Sequence, residues 1–399
     1  MMNTNLRVES LELHEALQGK LTIQAKMDVK SSKELSLVYS PGVAEPCLEI
    51  KNDPNKVYDY TMKGNLVGIV TDGTAVLGLG DIGPKAAMPV MEGKALLLKQ
   101  FAGIDAMPIC LDTKDVDEIV SIVKNIAPTF GAINLEDISA PRCFEIEDRL
   151  RKECDIPVFH DDQHGTAIVV AAGLKNAMRI VRKSRRDVKI VINGAGAAGV
   201  AILKLLLTIG YKNFIVCDSK GIIYEGRPYG MNAEKELMAQ MSNIDAVGGS
   251  LEDAIIDADI FIGVSAADVL TEKMVKSMMT NPIIFALANP NPEISFENAQ
   301  KWGVNLIATG RSDYPNQVNN MLAFPGIFKG ALEVRATDIN DEMKMAAVHA
   351  IADLVTDQQI HDGVIIPNIF EIDITDHVAV AVMRAAIHSE VAQKIITLI

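Results

Sequence analysis

Six residues, Gly194-Ala195-Gly196-Ala197-Ala198-Gly199, separate the apolar run Val188–Asn193 from the helix-forming run Val200–Thr208. This junction narrows the choice of folds more than any other feature. The run before it reads as a strand, and the next strand, Phe214–Asp218, ends in a carboxylate 19 residues after Gly199. Strand, glycine turn, helix, strand and acid together form the fingerprint of a dinucleotide-binding unit. Gly194 makes the tight turn, Gly196 lets the backbone approach a pyrophosphate, and Gly199 permits close packing of helix on strand. Ala195, Ala197 and Ala198 belong to the same cofactor-binding turn, where the helix N-terminus offers N–H groups and partial positive charge to phosphates. Asp218 would accept ribose hydroxyls and repel a 2′-phosphate, which favours NAD. Lys220 and Lys235 are near enough in sequence to reach a phosphate, so NADP stays as the alternative.

A second Gly-x-Gly-x-x-Gly, Gly78 to Gly83, runs directly into Pro84, and the strand after it ends at Asp112, 29 residues beyond Gly83. That spacing is too long for the fingerprint, so this copy reads as a structural turn bordering a cleft. Around both motifs, short apolar runs alternate with helical patterns, the mark of α/β architecture. Leu66–Thr71, Val76–Leu79, Ala106–Leu111, Ala132–Leu135 and Pro157–His160 read as strands, with helices at Pro89–Phe101 and Val116–Ile126. Beyond a linker at Asp161–Gly165 come helix Thr166–Val181, the dinucleotide unit, strands Ile260–Val264, Ile283–Ala288 and Asn305–Ala308, and helices near Asp341–Thr356 and Thr375–Ile396. The expected division is an N-terminal α/β domain, residues 1–162, and a Rossmann-type doubly wound domain, residues 163–399. The helical pattern Asn5–Lys20 is expected to pack on the body or on a partner subunit.

A net charge of −14 repels nucleic acid and anionic lipid. No apolar stretch reaches the ~20 residues of a membrane span, and no signal-peptide pattern is read at the N-terminus. Five cysteines without paired spacing point to reduced thiols and a cytoplasmic location. The basic run Arg182–Arg186 reads as a solvated helix end.

Glu136-Asp137 and Asp161-Asp162 each follow an apolar strand, at the end where α/β sheets collect ligands. Two such pairs repel unless a cation or donors compensate. Three oxygen ligands with substrate and water would suit Mg²⁺ or Mn²⁺. The pattern alone fits solvated, helix-capping acids equally well. His160 and His164 raise zinc as a rival, which the expected break at Gly165 disfavours.

Taken with Tyr39-Ser-Pro-Gly-Val-Ala, Thr71-Asp-Gly-Thr-Ala-Val-Leu-Gly, Met91-Glu-Gly-Lys94-Ala, Asn134-Leu-Glu-Asp137, Phe159-His-Asp-Asp-Gln-His-Gly-Thr, Ala288-Asn-Pro-Asn-Pro-Glu293 and Ala308-Thr-Gly-Arg-Ser-Asp-Tyr-Pro-Asn-Gln-Val-Asn-Asn320, the chain resembles the short bacterial malic enzymes over nearly its whole length. The resemblance implies oxidative decarboxylation of malate to pyruvate with a nicotinamide cofactor and a divalent metal. It makes Glu136, Asp137 and Asp162 the metal ligands, Lys94 the base for the malate hydroxyl, Asp161 its orienting partner and Tyr39 the acid that protonates the enol. Asn289 and Asn319 become substrate contacts, with Asn289 and Asn320 beside the cofactor. A homodimer or higher oligomer is implied as well. Larger members carry a carboxylate-binding arginine where this chain has Ala75, and Lys85 or Arg311 is the expected substitute. As a base Lys94 must be neutral, against an ordinary pKa of ~10.4. A metal and exclusion of water would lower it, while Asp161 would oppose. A malolactic conversion of malate to lactate ranks second, because the relatives known for it are longer. A non-catalytic NAD-binding regulator ranks third, since it would have no use for Tyr39, Lys94 and the acids.

Overall fold

The computed structural model describes residues 4–370 and 373–396. Two sheets are built almost wholly from parallel strands. The first comprises β1 (Leu66–Thr71), β2 (Asp105–Cys110), β3 (Ala132–Leu135) and β4 (Val158–His160), in the order β2-β1-β3-β4. The second comprises β5 (Lys189–Asn193), β6 (Asn213–Asp218), β7 (Gly221–Ile222), β8 (Ile260–Gly263), β9 (Ile283–Ala286) and β10 (Leu306–Thr309), in the order β10-β9-β8-β5-β6-β7. Only β7 is antiparallel among the described strands. From β5 the chain winds to β6 on one side and then returns to β8 on the other, so the switch point lies between β5 and β8. This is the doubly wound order in which ligands bind at strand C-termini.

Burial explains the apolar runs. All six residues of β1 and all four of β3, β8, β9 and β10 are buried, as strands covered on both faces must be. The covering helices carry their apolar residues on one stripe. In Pro84–Ala102 the buried residues are Ala87, Met91, Ala95 and Leu98, and the helix ends on Gly103 in the left-handed conformation. A continuous core links β1 through helix Asp161–Val181 to the second sheet and to helices Phe324–Glu333, Asp341–Asp353 and Ile374–His388.

Three expectations change. Val76–Leu79 is not a strand: Val76 makes one isolated bridge to Gly80, and a 3₁₀ turn occupies Leu77–Leu79, because Gly80 (φ 74°) reverses the chain at once. The helix expected from Pro89 begins at Pro84, so Pro89 lies inside it at the cost of one ladder bond. The segment Asp161–Gly165 is not a linker but the first turn of the 21-residue helix Asp161–Val181. Its acids suit the positive end of the helix, and Gly165 is there because a Cβ would meet Asp161 Oδ1 at 2.0 Å. Of the two packings expected for the N-terminal helix, Thr4–Leu17 does not take the one on the body: Leu6, Leu11, Leu13 and Leu17 are each more than half exposed. The short helices Ser32–Val38 and Ala44–Asn52 bury no residue either.

Candidate active site

Two strands of the first sheet and one covering helix deliver side chains to one point. β3 ends at Leu135, and Glu136 keeps its place because its N–H donates to the Val70 carbonyl (2.9 Å) and its Oε2 accepts from Asn134 Nδ2 (2.8 Å). Asp137 then turns into the left-handed region (φ 54°), a conformation aspartate tolerates. β4 runs into Asp161 and Asp162, and Asp162 Oδ2 accepts the Asp137 N–H at 2.7 Å. Helix Pro84–Ala102 contributes Lys94, whose Nζ lies 2.5 Å from Asp161 Oδ2 and 2.9 Å from Glu136 Oε1 and sits 4.3 Å above the Phe324 ring. Asn320 joins the group, donating to Asp161 Oδ2 (3.0 Å) and accepting from Thr166 Oγ1 (3.1 Å).

The charges in this cluster do not balance. Burial pushes Glu136 well above the carboxylate range, with Asp162 and Asp161 adding repulsion against the pull of Lys94. Burial and then Asp162 push Asp137 up to about 8. Burial disfavours the Lys94 ammonium, but Asp161, Glu136 and Asp162 outweigh it and hold Lys94 well above its ordinary value. Lys94 is therefore charged here, not the neutral base expected from the sequence. A divalent cation fits the excess of negative charge. Glu136, Asp137 and Asp162 each offer an oxygen, all within 4.8 Å of one another, and Asp137 Oδ2 is buried with no hydrogen-bond partner. An all-oxygen donor set matches Mg²⁺ or Mn²⁺. Zinc is disfavoured for a reason other than the expected break: the helix is continuous, but His164 Nε2 is taken by Glu147 Oε1 at 2.8 Å.

The glycine turn is built for a pyrophosphate. Gly194 has φ 128°, a Cβ on Gly199 would sit 1.8 Å from the Gly194 carbonyl, and the space beside Gly196 is open. No side chain caps helix Ala197–Ile209, which leaves its first N–H groups to a ligand. Asp218 ends β6 as expected, but it is already engaged. It accepts from Arg227 Nη2 (2.6 Å) and Nη1 (2.9 Å), from Lys235 Nζ (2.6 Å) and from the Lys220 N–H (2.8 Å). Burial opposes its charge, and the bonds from Arg227 and Lys235 prevail and hold it well below the carboxylate range. Sequence reading named Lys235 and missed Arg227, whose only signal was its position nine residues past Asp218.

The other candidates are spread around the cleft. Asn319 caps the 3₁₀ turn Asn320–Leu322 through its Oδ1. Asn289 is exposed beyond β9, its carbonyl against Gly78 and its amide against Gly310. The Gly78–Gly83 motif is thus a turn, with Gly80 and Gly83 at positive φ, and it borders the cleft. Buried Glu293 holds that wall together by accepting the Ala288 N–H (3.0 Å) and the Ser265 N–H (2.9 Å); sequence reading quoted it without a role. Tyr39 is 69% exposed, and no hydrogen bond joins it to Lys94 among the described residues. The cations named in place of the missing arginine do not reach the cluster: Lys85 is exposed, and Arg311 forks onto Asp313 (2.8 and 2.6 Å). The cation on the Thr74–Ala75 loop is Arg142, which donates to Thr74 Oγ1 (2.9 Å) and lies 2.8 Å from Asp72.

Residues 18–151 match the malic enzyme N-terminal domain, and residues 163–387 match the malic enzyme NAD binding domain. The chain belongs to the malic enzyme family. It is 61% identical to the bifunctional malic/malolactic enzyme of Bacillus subtilis over 389 residues, 98% of this chain and 95% of that one. It is 57% identical to the NAD-dependent malic enzyme of Geobacillus stearothermophilus over 376 residues, 94% and 78% of the two chains. Relatives named NADP-dependent malic enzymes lie at 46–50% identity. The crystal structure of the NAD-dependent malic enzyme of Thermotoga maritima superposes with a TM-score of 0.90 at 48% identity, covering 94% of this chain and 98% of that one. The relative named malic/malolactic is nearly the length of this chain, so length does not separate the two activities, contrary to the expectation from sequence.

Proposed function

We propose that this malic enzyme family member oxidises and decarboxylates (S)-malate to pyruvate and CO₂ between its two sheets, reducing NAD(P) with Mg²⁺ or Mn²⁺ bound by Glu136, Asp137 and Asp162. The observation that carries the reading is Lys94 held between Asp161 and Glu136 beside an oxygen triad, on the chain that also carries the dinucleotide turn. A metal held by Glu136, Asp137 and Asp162 would supply positive charge to the substrate oxygens, and a nicotinamide cofactor held at the Gly194–Gly199 turn would supply the hydride acceptor. Lys94 takes the C2 hydroxyl proton. Its release of the ammonium proton beforehand is favoured once the carboxylates around it are neutralised. Asp161, itself held by Asn320, fixes the Lys94 Nζ, and Phe324 keeps water from it. Tyr39 returns a proton to C3 of the enol of pyruvate.

Residues 1–162 act as the substrate and metal side, and residues 163–399 as the cofactor side. NAD is the preferred cofactor, because Asp218 remains an anion at the end of β6; Lys235 is the group a 2′-phosphate would engage. A second copy of the chain covers the apolar N-terminal helices and receives Tyr39 from its neighbour, which accounts for an acid exposed on the isolated chain. A closed two-fold dimer does this with one interface. Five free cysteines accord with a reducing, cytoplasmic setting, and no described helix is long and apolar enough to cross a membrane.

Purified protein with L-malate and Mn²⁺, assayed with NAD and NADP separately and with and without chelator, tests the reading. Chelator-sensitive cofactor reduction matched by pyruvate supports it. Lactate formed without free reduced cofactor would favour the malolactic reading, which the Bacillus subtilis relative makes the second candidate. No turnover with either cofactor would refute both.

A further inference from the structure

One buried carboxylate outside the reacting cluster is placed to act on the metal ligands. Glu147 belongs to helix Arg142–Glu153, is 6% exposed, and forms no ion pair with Lys94 among the described residues. Its Oε1 accepts the backbone N–H of His160 (3.1 Å) and His164 Nε2 (2.8 Å), and its Oε2 accepts Gln163 Nε2 (2.9 Å). These three donors flank Asp161 and Asp162 on both sides in sequence. The turn bearing the Lys94 partner and a metal ligand is therefore pinned at residue 160 and again at residues 163 and 164, from one carboxylate. Between the pins, Asp161 turns to Lys94 and Asp162 to the Asp137 N–H. Glu147, Gln163 and His164 line a separate cavity of about 770 Å³ that also touches helix Ala197–Ile209.

A helix N-terminus has free N–H groups and no inherent stop to fraying. Helix Asp161–Val181 has no side-chain cap from its own N-cap residue, His160. From another element, Glu147 instead holds the N–H of His160 itself and the side chains of Gln163 and His164. Burial opposes its charge, but the His164 donor outweighs burial and holds it down at about 2. A buried anion kept ionised solely to close a helix would be a costly choice, since Ser or Asp at the N-cap would serve. Fixing the aim of two carboxylates that repel their neighbours is a task that does require it.

We propose that Glu147 is a positioning residue for the metal site, bracketing the Asp161-Asp162 turn so that Asp162 stays aligned with Glu136 and Asp137. The inference rests on the metal-site reading above, and the experiment separates the two. Mn²⁺ alone is titrated into the purified, chelator-treated full chain and free Mn²⁺ is followed by electron paramagnetic resonance. NADH affinity, melting temperature and steady-state kinetics against Mn²⁺ are measured in parallel. Partners that orient metal ligands are typically worth 10–100-fold in metal affinity, so Glu147→Met, which has similar length and no acceptor, should weaken Mn²⁺ binding about tenfold or more. KM for Mn²⁺ should rise in step, while NADH affinity changes less than about threefold. Glu147→Gln keeps an acceptor for the His160 N–H and should recover most of the affinity. A folded Glu147→Met protein that binds Mn²⁺ within twofold of wild type overturns the inference. Should Glu147→Met not fold, Gln163→Met removes one pin alone: a weakening of about threefold supports the inference, and unchanged affinity overturns it. Absence of Mn²⁺ binding by the wild type would instead overturn the metal-site reading and the inference with it.

Discussion

Two inactive variants of this enzyme should restore activity when combined in one dimer. Tyr39 lies on a segment that buries almost nothing, while Lys94 sits in the body with 10% of its side chain exposed. If Tyr39 reaches the site of its neighbour, each site takes its base from one chain and its acid from the other. Tyr39→Phe and Lys94→Ala chains are each nearly inactive alone. Mixed at equal amounts and reassorted at random, they form dimers in the ratio 1:2:1, so about half are mixed. Each mixed dimer then contains one site with native Tyr39 and native Lys94 and one site lacking both. The expected activity is about a quarter of wild type per mole of chain, rising to about half in mixed dimers purified through two tags. The assay is pyruvate formation from malate after co-expression of differently tagged chains. Purified mixed dimers with no activity above either parent would refute the shared site, because a tyrosine serving its own chain leaves every site defective. Full turnover by Tyr39→Phe alone would mean that the acid lies elsewhere.

Lys235→Ala should lower kcat/KM for NADP about tenfold or more, the value of a charged hydrogen bond, and change NAD little; an unchanged NADP/NAD ratio would remove Lys235 from cofactor choice. Gly199→Ala should abolish NADH binding and lower the melting temperature, since its Cβ would stand 1.8 Å from the Gly194 carbonyl; near-normal NADH titration would contradict the close packing. Gly165→Ala should cut kcat at least tenfold while leaving NADH affinity intact, because its Cβ displaces the Asp161 carboxylate. Asp137→Asn should raise the melting temperature in chelator by a few degrees and abolish the further stabilisation given by Mn²⁺, which thermal denaturation with and without metal would show.

The parts of this molecule that were legible from sequence are those in which one local rule acts alone. Ala132–Leu135 was read to the residue because a short apolar run between turn signals has few alternatives. The dinucleotide turn was read because its three glycines answer to backbone geometry alone. The errors arose where distant contacts decide. Gly165 looked like a helix break, yet it is a helical residue chosen for the room it leaves Asp161. Val76–Leu79 had the apolar content of a strand but lies between glycines that turn the chain, and Gly78 abuts the Asn289 carbonyl more than 200 residues away. Arg227 and Glu147 were missed because their importance lies in the group they hold, and neither stands within a motif. The N-terminal leucines had helical spacing, but spacing cannot say which body covers them.

The acidic residues of this chain fall into two classes that composition cannot distinguish. Glu147 and Asp218 are buried anions surrounded by donors, and both stay ionised: His160, Gln163 and His164 around one, Arg227 and Lys235 around the other. Glu136 and Asp137 are buried with too few donors and are pushed upward. A fold that had to satisfy every carboxylate would have supplied the second pair with an arginine or further N–H groups. It supplies one lysine, Lys94, the proposed base. The unfavourable electrostatics are thus confined to the residues that would meet a metal ion, while their scaffold is electrostatically satisfied on each side. Strain of this kind persists only where the surrounding structure over-determines it. A divalent cation held by Glu136, Asp137 and Asp162, as proposed, would relieve the repulsion and, by the same charge, release Lys94 from the pull that keeps it protonated. Metal affinity and base strength are therefore two readouts of one imbalance, and a substitution that satisfies the acids in another way should forfeit both.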